Sequence, residues 1–183
     1  MDDPDAELVA RAGRGDRAAA EELMGRHLPK LLTLARRMLP GQAEAEDAVQ
    51  DAFLKAWTHA ARWQPGKAKF ETWLYRVTLN ACYDRLRRKK PLGLDAAMEV
   101  PDDAPPPDTG LDRDRLTAEI EAALAALPER QKAAILLCHF KDCGNIEAAE
   151  IMGLSVEALE SLLARGRRTL RGRLLHLKDF LGE

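Results

Sequence analysis

The chain has 183 residues, of which 46% are hydrophobic and 32% are charged, and its formal net charge is -2. This balance is typical of a folded protein with one domain or two small ones. The chain has no run of about 20 apolar residues, so we do not expect it to span a bilayer. The acidic start lacks the apolar stretch of a secretory signal, so we expect a cytoplasmic protein whose three cysteines form no structural disulfide.

The net charge conceals two basic regions. Residues 76–90 contain six basic side chains and one acidic side chain, and residues 165–178 contain six basic side chains and no acidic one. Acidic residues collect elsewhere, at 2–7, 44–51 and 99–114. Two basic regions on a mildly acidic protein predict two separate contacts with phosphates.

Apolar residues recur at helical spacing through the first half of the chain, with no alternating pattern typical of strands. Aspartate caps open the first two predicted helices, and proline and glycine end the later ones. The predicted helices cover residues 5–13, 16–26, 28–39, 43–62 and 70–88.

Residues 91–112 have the composition of a linker. They contain five prolines, two glycines and many acidic residues, and too few apolar side chains to form a core. We therefore predict an all-α protein in which two small helical domains, residues 1–90 and 113–183, are joined by a flexible linker over 91–112.

The second half predicts a helix-turn-helix. Helices are expected over 111–127 and 129–141, followed by a helix over 145–152 and a tight turn at Gly153. The last helix has one apolar face (Val156, Leu159, Leu163, Leu170, Leu174) and one polar and basic face (Glu157, Ser161, Ala164, Arg168, Arg171). The second face suits base edges and phosphates in a DNA major groove, whereas the alternative is an ordinary helical hairpin with a basic tail.

The helix over 43–62 carries a polar and acidic strip opposite its packing face, formed by Asp47, Gln50, Asp51 and Lys55. Such a strip suits docking onto a basic protein surface. The alternative is a solvated helix face.

The helix over 70–88 carries aromatic, basic and amide side chains along one face, at Trp73, Arg76, Asn80, Tyr83 and Arg87. Rings stack on bases, cations hold phosphates and amides bind exposed base edges, so this face suits single-stranded nucleic acid. The basic loop before it could capture an extruded base. Equally, Trp73 and Tyr83 could belong to the edge of the core, with the arginines solvated.

No motif for catalysis, cofactor binding or metal binding is found, so we predict neither an enzyme nor a bound cofactor or metal. Cys138, His139 and Cys143 lie close in sequence but lack a fourth ligand at zinc-site spacing. We expect Cys138 in the core and Cys143 in a turn, and a redox or metal role for the three residues is a hypothesis based only on their proximity.

Four segments together resemble the extracytoplasmic-function (ECF) sigma factors of bacterial RNA polymerase, a branch of the sigma-70 family. They are EDAVQDAFLKAW (46–57), FETWLYRVTLN (70–80), LPERQ (127–131) and SVEALESLLAR (155–165). Their order and spacing match the family from about residue 5 to residue 175. The resemblance implies a subunit that directs RNA polymerase to promoters.

The resemblance implies a role for each surface. Core polymerase would be bound at its β′ clamp helices by Asp47, Gln50, Asp51 and Lys55, and at its β flap by the second domain. The −10 element of promoter DNA would be recognised and melted by the loop over 63–69 and the helix that follows it, through Lys67, Lys69, Trp73, Arg76, Asn80, Tyr83, Arg87 and Arg88. The −35 element would be read by Ser155, Glu157, Ala158, Ser161, Arg165 and Arg168.

The resemblance also implies control by an anti-sigma factor, with no membrane contact unless that partner is itself membrane-bound. Family members often have a Gly-Leu/Met-Ser turn where this chain has Asp142-Cys143-Gly144-Asn145, and we expect Asn145 to cap the next helix instead. Two other classes stay open at this point, a stand-alone helix-turn-helix regulator that binds duplex DNA unaided and a helical adaptor without DNA function.

Overall fold

The computed structural model describes residues 3–64, 66, 68–89, 111–141 and 143–176. All regular secondary structure in these residues is helical, which confirms the predicted all-α class. The helices are α1 (Ala6–Gly13), α2 (Arg17–Met38), α3 (Gln42–Ala60), α4 (Phe70–Lys89), α5 (Leu111–Ala125), α6 (Glu129–Ile135), α7 (Asn145–Met152) and α8 (Val156–Leu174), and a π-helical turn, Leu136–Phe140, continues α6.

The first module consists of α1 to α4, with α3 packed against the other three helices. Its core is built from the apolar faces of all four, including Val9, Leu23, Val49 and Leu74. The backbones of α1 and α3 approach closely at Gly13, where a Cβ atom would lie 2.8 Å from the backbone of Ala60.

The α2 helix is continuous, so the prediction of two separate helices over 16–26 and 28–39 is wrong. One face of α2 buries Leu23, His27 and Leu31 at four-residue spacing, and this packing favours a single helix. Pro29 removes the hydrogen bond to the carbonyl of Gly25, but both residues are exposed, so water can satisfy that carbonyl.

The second module consists of α5 to α8, with the helix-turn-helix formed by α7 and α8. Gly153 ends α7 in the left-handed conformation, with φ of 65°, and the Ser155 hydroxyl accepts a hydrogen bond from the amide of Ala158 (3.2 Å) at the start of α8. The expected turn at Gly153 is therefore present, and Leu159 and Leu163 are buried as predicted.

Two local predictions in this module are wrong. A single α-helix is expected over 129–141, but α6 ends at Ile135. Beyond it, hydrogen bonds between residues five apart, such as Lys141 N–H to the Leu136 carbonyl (3.3 Å), form the π turn. The N-cap residue of α7 is Gly144 and not Asn145, which is already helical. The side-chain amide of Asn145 instead donates a hydrogen bond to the Glu160 carboxylate (3.2 Å).

The two modules pack together, mainly through α4 against α7 and through α2 against α5 and α6. The Arg37 guanidinium lies 3.8 Å from the centroid of the Phe140 ring and donates to the Glu121 carboxylate (3.3 Å). The predicted linker over 91–112 lies outside the described residues, except for Leu111 and Asp112 at the start of α5. No helix in the described part of the chain combines the length and apolarity needed to cross a membrane.

Candidate nucleic-acid and polymerase interfaces

The strip on α3 is open to solvent. Asp47, Gln50, Asp51 and Lys55 are all exposed, and the Asp51 carboxylate accepts a hydrogen bond from Arg85 of α4 (2.7 Å). Sequence reasoning missed Leu54, whose 56% exposure places an apolar side chain within this polar strip. Leu54 follows Asp47 by seven residues, or about two helical turns, so helical spacing alone could have placed it on the same face.

Trp73 is half-buried within a cluster of four rings. Its ring centroid lies 5.4 Å from that of His59, 5.7 Å from that of Trp63 and 6.0 Å from that of Phe70. His59 is exposed and nearly parallel to the Trp73 indole, with an interplanar angle of 14°. Sequence reasoning did not assign His59 to this face, because it lies on the neighbouring helix α3.

A cavity of about 440 Å³ opens beside this cluster. Its walls include His59, Trp63, Trp73 and Arg76 of the first module, and Glu150 of α7 closes one side. The indole N–H of Trp63 is buried and has no hydrogen-bond partner in the described part of the chain. Flat rings beside a cation can hold a planar group such as a nucleobase.

The remaining residues predicted for this face differ in accessibility. The Arg76 guanidinium donates to the backbone carbonyl of Glu150 through Nε (3.1 Å) and through Nη2, so the second module covers it. Tyr83 is half-buried, and burial raises the pKa of its hydroxyl. Asn80, Arg87 and Arg88 are exposed and Lys69 is half-buried, whereas Lys67 lies outside the described residues.

The outer face of α8 is open. Its predicted contact residues are all exposed, and they are Ser155, Glu157, Ala158, Ser161, Arg165 and Arg168. Hydrogen bonds from its own backbone amide and from Ser155 lower the pKa of Glu157. On the opposite face the buried Gly166 lets α8 approach α6, since a Cβ atom there would lie 3.1 Å from Cγ1 of Ile135. The helix therefore presents its polar face while its apolar face is held against α6.

Comparison with known proteins identifies both modules. The family model for sigma-70 region 2 matches residues 23–91, and the model for sigma-70 region 4 matches residues 117–170. The ECF RNA polymerase sigma factor SigM of Mycobacterium tuberculosis is 36% identical over 91% of this chain and 82% of SigM. The chain belongs to the ECF sigma factors.

Two further similarities agree with this membership. The ECF RNA polymerase sigma factor SigE of Mycolicibacterium smegmatis is 34% identical over 86% of this chain, which spans 63% of the length of SigE. The solved structure of CnrH in complex with the cytosolic domain of CnrY matches with a TM-score of 0.72 and 29% identity, over 94% of this chain and 97% of CnrH. Sigma factors are not enzymes, so family membership confirms that prediction and excludes the stand-alone regulator.

The cysteines of this ECF sigma factor are poorly suited to redox chemistry. Burial raises the pKa of Cys143 to about 11 and also raises the pKa of Cys138, which reduces the thiolate fraction of both. Cys143 lies outside the helices, between the π turn and α7, and its side chain is buried, whereas Cys138 in the π turn is half-buried at the edge of the core and not fully within it. His139 accepts a hydrogen bond from Arg167 (3.3 Å), and the described residues contain no group of three or more side chains able to hold a metal ion.

Proposed function

We propose that this ECF sigma factor directs RNA polymerase to specific promoters by binding core polymerase and two promoter elements. The proposal rests on one observation: two packed modules carry two different faces. The first module has an aromatic and basic face on α4, and the second has an exposed polar and basic face on α8. Neither face resembles a catalytic site, and each has the chemistry of a different DNA contact.

Core polymerase is bound by α3 in this proposal. Asp47, Gln50, Asp51 and Lys55 dock on the β′ clamp helices, with the exposed Leu54 giving an apolar centre to a polar contact. The second module binds the β flap. Residues 1–90 and 113–183 then act as two domains, and the acidic, proline-rich residues 91–112 connect them across the enzyme.

The −10 element is melted by the first domain in this proposal. The loop over 63–69 and the cavity beside Trp73 receive an unpaired base, while Arg76 and Asn80 contact the strand. Lys67, Lys69, Arg87 and Arg88 hold its phosphates. Because Arg76 is covered by α7, and Tyr83 is half-buried near α6, these contacts require the modules to separate when polymerase binds.

The −35 element is read by α8 in this proposal. Glu157, Ala158 and Ser161 lie in its first turns and meet base edges, whereas Arg165 and Arg168 follow and meet phosphates or guanines. Ser155 caps the helix and directs its N-terminus at the DNA backbone. This face is open without any rearrangement of the modules.

An anti-sigma factor controls the chain in this proposal. The related protein CnrH has been solved in complex with the cytosolic domain of CnrY. In this chain the polar strip of α3 and the outer face of α8 are both exposed, one on each module, and a partner that covers both would block polymerase and DNA together. A sigma factor acts where polymerase and DNA are, so we place it in the cytoplasm.

Run-off transcription with core RNA polymerase on a library of genomic fragments tests the proposal. We expect transcripts that require the chain and share two short upstream sequences at fixed spacing. Asp47→Ala should reduce both core association and transcription, whereas Glu21→Ala, which removes the same charge from the exposed face of α2, should not. If the chain yields no new transcript from any fragment, the proposed function is wrong.

A further inference from the structure

The N-terminal segment contacts the start of the proposed −10 helix. Oδ2 of Asp3 accepts a hydrogen bond from the backbone amide of Phe70 (2.8 Å), although 67 residues separate them in the chain. The first amides of a helix lack partners within the helix, and a carboxylate at that end is also favoured by the helix dipole. Asp3 therefore supplies the N-terminal cap of α4 from a distant segment.

A buried anchor holds Asp3 in this position. Oδ1 of Asp3 accepts from the amide of Asp5 (3.0 Å), and the Asp5 side chain is only 5% exposed. The Asp5 carboxylate accepts from Arg26 (2.9 Å) and lies 2.7 Å from Nε2 of His27, both on α2. The segment is thus tied to the core, and the position of the Asp3 carboxylate is fixed by that attachment.

Phe70 links this cap to the face proposed to receive a base. Its ring is buried and lies against three others, with centroids 6.0 Å from His27, 5.5 Å from Trp63 and 6.0 Å from Trp73. A shift of the first turn of α4 would move Phe70 and change the position of Trp73. The network is therefore continuous from Asp3 to the proposed stacking surface.

We infer that Asp3 is a positioning residue for −10 recognition. Its carboxylate fixes the first turn of α4, and through Phe70 it holds Trp73 in the orientation that receives an unpaired base. In this inference Asp3 acts through the first turn of α4 and contacts no DNA itself. The inference rests on the proposed role of Trp73 in −10 melting.

The test compares holoenzymes assembled from core polymerase and the full chain, either wild type or variant. The probes are a fork DNA with a single-stranded −10 sequence and a duplex with only the −35 sequence, both taken from a promoter that the wild-type holoenzyme transcribes. Asp3→Ala removes the cap, and Asp3→Asn keeps an acceptor oxygen that caps helices about as well. Glu7→Ala removes one negative charge from an exposed position of the same segment.

Loss of a side-chain cap shifts the equilibrium between the ordered and the displaced first turn about fivefold, so Asp3→Ala should weaken binding to the fork DNA by up to about that factor. Binding to the −35 duplex and to core should stay within about twofold of wild type, because the contacts described for Asp3 are with Asp5 and Phe70 and not with the strip on α3 or the outer face of α8. Asp3→Asn should restore fork binding, and Glu7→Ala should leave it unchanged. Amide exchange at Phe70, measured by NMR on the free chain, should accelerate in Asp3→Ala and return in Asp3→Asn.

Three binding results would overturn the inference, and so would one result of the exchange measurement. The first is that Asp3→Ala binds the fork DNA as tightly as wild type. The second is that Glu7→Ala loses as much affinity for the fork DNA, which would indicate only a charge effect. The third is that Asp3→Ala loses as much affinity for the −35 duplex, which would indicate general destabilisation. Unchanged exchange at Phe70 would show that the cap is not formed in solution. Failure of the wild-type holoenzyme to transcribe any promoter would instead reject the proposed function itself.

Discussion

The guanidinium of Arg76, a residue proposed to contact the −10 strand, hydrogen-bonds to the backbone carbonyl of Glu150 in the helix-turn-helix. A side chain of one module is therefore held by the backbone of the other. Glu150 also closes one side of the cavity beside Trp73. The packed arrangement covers part of the face proposed to bind the −10 element and leaves the face proposed to bind the −35 element exposed, so the two faces are not equally accessible in the free chain.

Weakening the contact between the modules should expose the −10 face. Arg37→Ala removes both the contact with the Phe140 ring and the ion pair with Glu121, which lie between α2 and the second module. We expect the free chain to bind a single-stranded −10 oligonucleotide about fivefold more tightly, since the open population rises. Fluorescence anisotropy with a labelled oligonucleotide measures this affinity.

The neighbouring Arg36 gives a matched control for that experiment. Its guanidinium pairs with Glu46 within the first module, at 3.4 Å, so Arg36→Ala removes the same charge without touching the second module. Equal affinity for the oligonucleotide in Arg37→Ala and wild type would argue against a closed arrangement in solution. A reduced affinity would instead suggest that Arg37 contacts the strand.

Truncating Trp73 should impair DNA melting more than initial promoter binding. Stacking of a base on an aromatic ring contributes about 1–3 kcal/mol, so Trp73→Ala should reduce open-complex formation by about tenfold or more. Permanganate footprinting reports melting, and a gel shift at low temperature reports initial binding. Trp73→Phe keeps a ring beside Phe70 and should retain more activity, whereas equal loss of both steps in Trp73→Ala would contradict the assignment.

The helices and their outer faces could be predicted from the sequence, whereas the contacts between modules could not. Periodicity located α3, α4 and α8, because one face of each is apolar and the fold follows that pattern. Sequence reasoning divided α2 near His27, whereas the buried face formed by Leu23, His27 and Leu31 runs through the division and favours one continuous helix. The Asp5 partner of His27 comes from a distant segment, and no local pattern marks it. Arg76 binds a backbone carbonyl, and no sequence pattern marks such an acceptor.

Two of the helical glycines, Gly13 and Gly25, should respond oppositely to alanine. A Cβ atom at Gly13 would meet the Ala60 backbone at 2.8 Å, so Gly13→Ala forces α1 away from α3 and should lower the free energy of unfolding by about 1–3 kcal/mol. Gly25 lies within α2 with no atom within 4 Å of the added group, so Gly25→Ala should raise it by about 0.5–1 kcal/mol. Urea unfolding followed by circular dichroism measures both. A Gly13→Ala protein as stable as wild type would mean that α1 and α3 do not approach as described.

Removing Arg168 should weaken −35 binding without affecting the association with core polymerase. Arg168 is exposed on the outer face of α8, away from Leu159 and Leu163, which pack inward. Loss of an arginine contact to a guanine weakens the free energy of DNA binding by about 1–3 kcal/mol. Arg168→Ala should therefore reduce the affinity of the holoenzyme for a −35 duplex by about tenfold. If the contact is to a phosphate, affinity should fall by a similar factor on all DNA sequences. The slope of log affinity against log salt concentration should then decrease in magnitude by about one. Arg14→Ala, which removes an exposed positive charge at the end of α1, is the control and should leave −35 binding unchanged. Loss of core polymerase from Arg168→Ala in a pull-down would assign this residue to the polymerase interface and not to the DNA.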